Sequence, residues 1–331
     1  MTILDAIVAR AKAAPKRIVL TEGTDPRIIT AAAKLSQQKV ASVTLIGNYA
    51  VVTAKATELG VNLDGVTVID PSTSELRQPL SDLLYERRAK KGMTQEKAFE
   101  LAGEPLWFAN LSVKAGYQDG VVSGAVHTTG DVVRAAIQAI GVDKAFSMIS
   151  SFFLVVLDRE HHPRQGCMVF SDCGLVIDPD ANQLAEIASA AANSYQSITG
   201  EEAKVAMLSF STHGSASHPA VDKVSEATQL VKAARPDLSI DGEIQLDAAV
   251  VPRIAAKKIK ESDVNGAADV LVFPSLEAGN IAYKLVERFA GATAIGPLLQ
   301  GLAQPANDLS RGCSAEDVFY VAAVTVVQAQ K

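Results

Sequence analysis

The sequence predicts a layered α/β protein with mainly parallel sheets, on three observations. Short β-rich runs recur, each followed by a longer stretch of helical periodicity, which is the alternation expected of βαβ units. At 331 residues with 48% hydrophobic content, the chain suits two cores better than one. The segment 147–177 breaks the rhythm: two apolar runs, FSMISSFFLVVLD and CMVFSDCGLVI, flank a polar turn with Pro163 and Gly166, which reads as a hairpin.

In chain order, the N-terminal MTILDAIVARAKAAPKR carries apolar residues at helical spacing. Strands are then expected at RIVLTEG (17–23), SVTLIG (42–47), VTVID (66–70) and DGVVSGA (119–125), with helices at 26–38, 75–91, 94–115 and 129–140. The hairpin marks the passage into a second domain. Strands follow at KVAMLSFS (204–211), DVLVFPS (269–275) and TAIGPL (293–298), and helices at 182–198, 219–235, 248–259, 280–290 and 315–330. Ser314 followed by Asp317 has the form of a capping box opening the last, very apolar helix. No Pro-rich linker, repeat or low-complexity tract appears, so the two domains should be tightly joined around a cleft.

A formal charge of −6 argues against a nucleic-acid surface, so any anionic ligand must be held by individually placed arginines. Cys167, Cys173 and Cys313 form an odd set without metal-ligand spacing, as in a reducing compartment. Asp5 and Arg10 interrupt what would be the apolar core of a signal peptide. MISSFFLVVLD (148–158) is far short of the roughly 20 residues of a membrane span. A cytoplasmic protein with no membrane partner is expected.

Ligands of open parallel sheets lie beyond the carboxyl ends of the strands. Three loops there are rich in small polar residues: THGSASHP (212–219), VHTTGD (126–131) and LEAGN (276–280). Thr212, Gly214, Ser215, Ser123, Thr128, Gly279 and Asn280 are their candidate contacts for phosphate or carbonyl oxygens, and the same residue types also serve as ordinary helix caps. Neither GxxxxGK[ST] nor a GxGxxG after the first strand occurs. His161, His162, Cys167 and Cys173 match no zinc pattern, so no metal is expected. Guanidinium forks suit phosphate, and Arg88, Arg134 and Arg311 each sit near a helix end or loop. Arg88 would equally favour a helix C-terminus ahead of Gly92, whereas Arg134 near a helix start needs an anion nearby.

The stretches VAMLSFSTHGSASHP (205–219), IDGEIQLDAAVVP (240–252), FPSLEAGNIAYK (273–284) and GPLLQGLAQPANDLSRGCS (296–314) together resemble the phosphate acetyltransferases, and the similarity runs from about residue 15 to 330. The resemblance implies a two-domain, three-layer αβα fold akin to the isocitrate and isopropylmalate dehydrogenases. Residues 1–146 plus 301–331 would form one domain and 147–300 the other, with the active site in the cleft. It further implies a homodimer and the reaction acyl-CoA + phosphate ⇌ acyl phosphate + CoA, with CoA as substrate and neither metal nor other cofactor. On the matching motifs, Ser310 and Arg311 of DLSRG correspond to the family's active-site serine and arginine, and Asp317 to its general base. Arg88 corresponds to a CoA contact and Arg134 to a second site arginine. Where some members carry a cysteine, this chain reads DREHHPRQG. PSLEAGN looks more like the ethanolamine-utilisation type, so propionyl or butyryl transfer stands beside acetyl transfer as an alternative.

Parts of the sequence also suit other chemistries. Cys313, near a helix start, would be the nucleophile of a covalent ping-pong route if its thiol were acidic. Asp241 and Asp247 would serve a metal-dependent dehydrogenase on the same fold. A non-catalytic CoA- or phosphate-binding protein would keep the scaffold but would not require Ser310, Arg311 and Asp317 together. For catalysis, Arg311 must not be locked in an ion pair with Asp317, because that pair would lower the base's pKa.

Overall fold

The computed structural model describes residues 2–157 and 166–330. The polar hairpin turn, with His161 and His162, lies outside the described residues. The chain forms two compact units: Ile3–Lys144 with Leu302–Lys331, and Ala145–Gly301.

The first unit runs α1 (Ile3–Ala13), β1 (Lys16–Leu20), α2 (Pro26–Gln37), β2 (Ala41–Ile46), α3 (Tyr49–Glu58), β3 (Thr67–Ile69), α4 (Arg77–Arg88), α5 (Gln95–Ala102), α6 (Pro105–Lys114), β4 (Gly120–Ser123) and α7 (Thr129–Ala139). The second holds β5 (Ser150–Leu157), β6 (Gly166–Ser171), α8 (Ala181–Thr199), β7 (Lys204–Leu208), α9 (Pro219–Ala234), β8 (Ser239–Ile244), α10 (Leu246–Val250), α11 (Pro252–Lys258), β9 (Val270–Val272), α12 (Leu276–Ala290) and β10 (Thr293–Gln300). The chain then returns to the first unit for β11 (Ala306–Asp308) and α13 (Ala315–Gln328).

The first sheet is parallel throughout, in the order β11-β4-β1-β2-β3. One face packs Val19, Val121 and Ala306 against Leu80, Leu84, Phe108 and Ala136. The other receives α13, which also packs on α1 and α2. Enclosure on several sides explains its near-continuous apolar run: Val318, Val321, Val324 and Val327 are all fully buried. The buried Asn307 amide joins β11 to this helix by donating to Thr325 Oγ1 (2.8 Å) and Gln328 Oε1 (2.7 Å).

The second sheet has the order β10-β5-β6-β9-β7-β8, and the hairpin strands β5 and β6 pair antiparallel as the two apolar runs imply. TAIGPL departs from the βαβ reading, because β10 runs antiparallel to β5. Two strands escape the hydrophobic pattern. In β8 the acidic residues Asp241 and Glu243 are themselves buried, which hides the alternation, and β11 is a three-residue polar strand. Helix breakers divide two predicted helices: 94–115 splits at Pro105 and 248–259 at Pro252. LEAGN is a correction of a different kind. Ser275 caps α12, so residues 276–280, expected as a loop, are its first turns.

Candidate active site

Buried carboxylates organise the strand-end loops of both units. After β1, Glu22 accepts from the backbone amides of Gly124 (3.1 Å), Ala125, Val126 and His127 (2.9 Å each), with His127 Nδ1 at 2.8 Å. The loop after β4, expected to cradle an external anion, thus wraps an internal one. Burial pushes the Glu22 carboxyl up, but the His127 side chain and these amides outweigh it and hold the net value below the ordinary one. The His127 ring is raised in turn, chiefly by its bond to Glu22.

The DLSRG loop follows β11. Ser310 is exposed, its Oγ accepts from Gly312 N at 3.2 Å, and its carbonyl accepts from Cys313 N at 2.9 Å. Asp317, half-buried, closes the capping box: its Oδ2 accepts from Ser314 N (2.8 Å) and Ser314 Oγ (2.9 Å). No Arg311–Asp317 ion pair forms, and the exposed Arg311 guanidinium has no partner among the described residues. One loop and helix start therefore bring a hydroxyl, an uncommitted guanidinium and an oriented carboxylate together.

Arg27, at the start of α2, fixes this loop. Its guanidinium donates to the carbonyls of Arg311 (2.7 Å) and Cys313 (3.2 Å) and, across the site, of Ala125 (2.7 Å), while Asp25 holds its other edge at 2.8 Å. Burial of Cys313 pushes its thiol up to about 11, which removes the acidic thiol that a covalent route requires.

Arg88 ends α4, and Gly92 follows in the left-handed conformation (φ 86°), the helix-stop geometry predicted for it. With Lys91, Thr94 and Lys97 it lines a cavity of about 300 Å³. A second cavity, of about 460 Å³, is also lined by Lys97 and adds Trp107, His127 and Arg134. The anion that Arg134 needs is Asp131, 2.9 Å away on the same helix. Both side chains are largely exposed, so the pair contributes little and leaves the guanidinium open to a ligand. Thr128 caps that helix and donates to Asp131 Oδ2 at 2.7 Å. Ser123, at the end of β4, is buried.

Thr212, Gly214, Ser215, Gly279 and Asn280 belong to the second unit. There Glu243 Oε1 accepts from Gly214 N (2.7 Å) and Ser211 Oγ (3.0 Å), Thr212 N donates to Ser215 Oγ (3.0 Å), and Thr212 Oγ1 accepts from Gln245 N (3.0 Å). Gly279 is a packing position: a Cβ there would lie 2.4 Å from the Asp172 carbonyl oxygen. Asn280 Nδ2 donates to Cys173 O at 3.0 Å. The aspartates of the dehydrogenase alternative are structural. Asp241 binds the Ser262 hydroxyl and the Val264 amide, and Asp247 pairs with Lys258 at 2.8 Å. Cys167 and Cys173 are core thiols, raised by burial, the first to about 12.

Sequence reasoning missed Glu22, Arg27, His127 and Asp308. Asp308 opens the DLSRG motif that holds Arg311, and Glu22 and Arg27 flank the first strand-to-helix turn, but the roles of Glu22 and Arg27 depend on partners about a hundred or more residues away.

A guanidinium open to an anion beside a carboxylate set at a helix start, all on the closing loop of a parallel sheet, is the equipment of a group-transfer enzyme, here an acyltransferase. The family model described as phosphate acetyl/butaryl transferase matches residues 2–326, and the chain belongs to that family. A phosphate acetyltransferase of Acetivibrio thermocellus is 48% identical over 330 residues, covering 100% of this chain and 99% of that one. The EutD phosphotransacetylase from Staphylococcus aureus superimposes with a TM-score of 0.90 at 41% identity, over 99% of this chain and 98% of the other. A dehydrogenase-type structure from Salmonella typhimurium, at 12% identity and a TM-score of 0.55 over 94% of this chain and 99% of the other, shares the fold alone.

Proposed function

We propose that the protein catalyses acetyl-CoA + phosphate ⇌ acetyl phosphate + CoA by direct transfer between two bound substrates, with no metal or other cofactor. The observation that carries this reading is the DLSRG loop: an Arg311 guanidinium without a partner, and an Asp317 carboxylate committed only to its cap, among the described residues, beside an exposed Ser310 hydroxyl. In the thioester-forming direction Asp317 takes the thiol proton of CoA, and the thiolate attacks the acetyl carbonyl carbon. The tetrahedral oxyanion then collapses, breaking the bond to the phosphate oxygen, and phosphate leaves. Arg311 holds the phosphate, and Ser310 donates to the oxyanion.

An ordinary aspartate near ~3.9 facing a thiol near ~8.5 leaves about 6 kcal/mol against full proton transfer. Stabilisation of the thiolate and of the tetrahedral oxyanion by Arg311 and Ser310 offsets that cost. Arg88, Lys91 and Lys97 suit the phosphates of CoA. Pre-orientation of both reactants supplies much of the remaining rate.

The active form is read as a cytoplasmic homodimer. The second unit exposes an apolar stripe on α12, with Ile281 54%, Leu285 50% and Phe289 85% accessible at i, i+4, i+8 spacing, which a second copy would cover. Cysteines Cys167, Cys173 and Cys313 are all free, in keeping with a reducing compartment.

The test is thioester formation from CoA and acetyl, propionyl or butyryl phosphate by the wild type and Asp317→Asn. Acetyl transfer by the wild type that falls at least about 100-fold in the variant supports the reading. No transfer with any donor by folded protein defeats it, and preferred propionyl transfer reassigns the acyl group.

A further inference from the structure

The carboxyl edge of the first sheet carries a row of unpaired polar atoms beneath the site. β4 and β11 end at Ser123 and Asp308, which are register partners, while Leu20 pairs with Val122. Thr21, Ser123 and Asp308 therefore lie side by side on one face of three neighbouring strands. All are buried, and Thr21 Oγ1, Ser123 Oγ and both carboxyl oxygens of Asp308 have no partner of good hydrogen-bond geometry among the described residues, the Thr129 side chain and the Leu309 amide acting on Asp308 only weakly. Native proteins hold few such atoms, and each calls for an explanation.

Gly124 is pressed against this carboxyl: a Cβ at that residue would lie 2.1 Å from Asp308 Oδ1. The Gly124 amide points to Glu22 instead, so a single glycine connects two carboxyl groups of opposite character. Glu22 is satisfied by amides and stays below its ordinary value. Asp308 is driven by burial up to about 7, with Glu22 pushing the same way and Thr129, the Leu309 amide and Arg311 only partly opposing. Two neighbouring acids driven apart in this way divide into one ionised and one neutral.

The charged groups that act on Asp308 are Glu22 from the end of β1 and Arg311 from its own loop; the neighbouring loops and helix starts add His127 from the loop after β4, Asp131 and Arg134 of α7, and Arg27 of α2 with Asp25 at its N-cap. His127 is tied to Glu22, Arg134 to Asp131 and Arg27 to Asp25. Arg311 is thus the cation of this group that has no ion-pair partner among the described residues. We propose that Asp308 is a positioning residue for acyl transfer: as a neutral acid it leaves Arg311 to the substrate phosphate, and as a carboxylate it draws that guanidinium back. The proton lost on ionisation goes to solvent.

This inference rests on the acyl-transfer reading, and its test separates the two. The KM for acetyl phosphate is measured from pH 6 to pH 8 for the wild type and Asp308→Asn at saturating CoA. The neutral fraction of an acid near 7 falls from ~0.9 to ~0.1 over that range, so the wild-type KM should rise roughly ninefold. In Asp308→Asn the rise should vanish. An equal rise in both proteins, or a flat wild-type profile, overturns the inference, and the latter decides the matter even where the variant fails to fold. Infrared spectra give a readout without turnover: a protonated-carboxyl band in the wild type at pH 6, lost at pH 8 and missing from Asp308→Asn. Absence of that band at pH 6 overturns the inference in an active enzyme. Its presence in a protein that transfers no acyl group supports the neutral acid and faults the assigned reaction.

Discussion

Arg27 holds three carbonyl oxygens from two loops with one planar group, an arrangement that only a guanidinium fork can span. Arg27→Ala should lower kcat/KM about tenfold or more, through loss of loop position rather than of a substrate contact, and Arg27→Lys should not restore it. Steady-state kinetics of both variants check this; a change within twofold for Arg27→Ala would show that the clamp is dispensable. Asp308 carries a separate consequence for stability. Its folded-state pKa of about 7 stands above the ordinary 3.8, so the folded protein binds the extra proton and stability falls as pH rises between those values. The cost at pH 8 is at most about 4 kcal/mol. Asp308→Asn should therefore exceed the wild type in denaturant midpoint at pH 8, with the difference closing toward pH 4. At this scale the sequence made local relations legible. The Ser314–Asp317 box is a four-residue pattern that formed as read, whereas the Glu22 nest joins residues about a hundred positions apart and leaves no mark in either segment.

At the scale of elements, the strongly periodic helices and the longer strands other than β8, whose buried acids hide its alternation, could be read directly. β11 could not, because a three-residue strand of Ala, Asn and Asp has neither length nor alternation. The misreading of LEAGN had a different origin: glycine and asparagine suggested a loop, while the helix needs the glycine for contact. A Cβ at Gly279 would meet the Asp172 carbonyl and, at 2.9 Å, the Cys173 sulfur. Gly279→Ala should destabilise the second unit by about 1–3 kcal/mol. A thermal melt measures that loss, and an unchanged KM for acetyl phosphate in the folded fraction would separate packing from ligand binding. A normal melt with a raised KM would restore Gly279 to the substrate contacts.

For the whole molecule, two α/β units follow from composition and from the interrupted rhythm at the hairpin, but an interface between copies lies beyond pattern reading. If a second copy covers α12, Phe289→Asp should shift sedimentation from dimer to monomer at micromolar concentration. A wild-type monomer would remove the dimer from the proposal. The first sheet has one further property: its edge strand and the helix covering its back are made after every other element of that unit. Ser310, Arg311 and Asp317 arrive with them. At roughly 5–20 residues per second on the ribosome, the nascent chain spends many seconds with the β4 edge uncovered before β11 and α13 emerge. Completion of the first sheet and acquisition of the proposed catalytic groups thus coincide in time, so a chain stalled before β11 would present an open sheet edge to quality control while still lacking Ser310, Arg311 and Asp317.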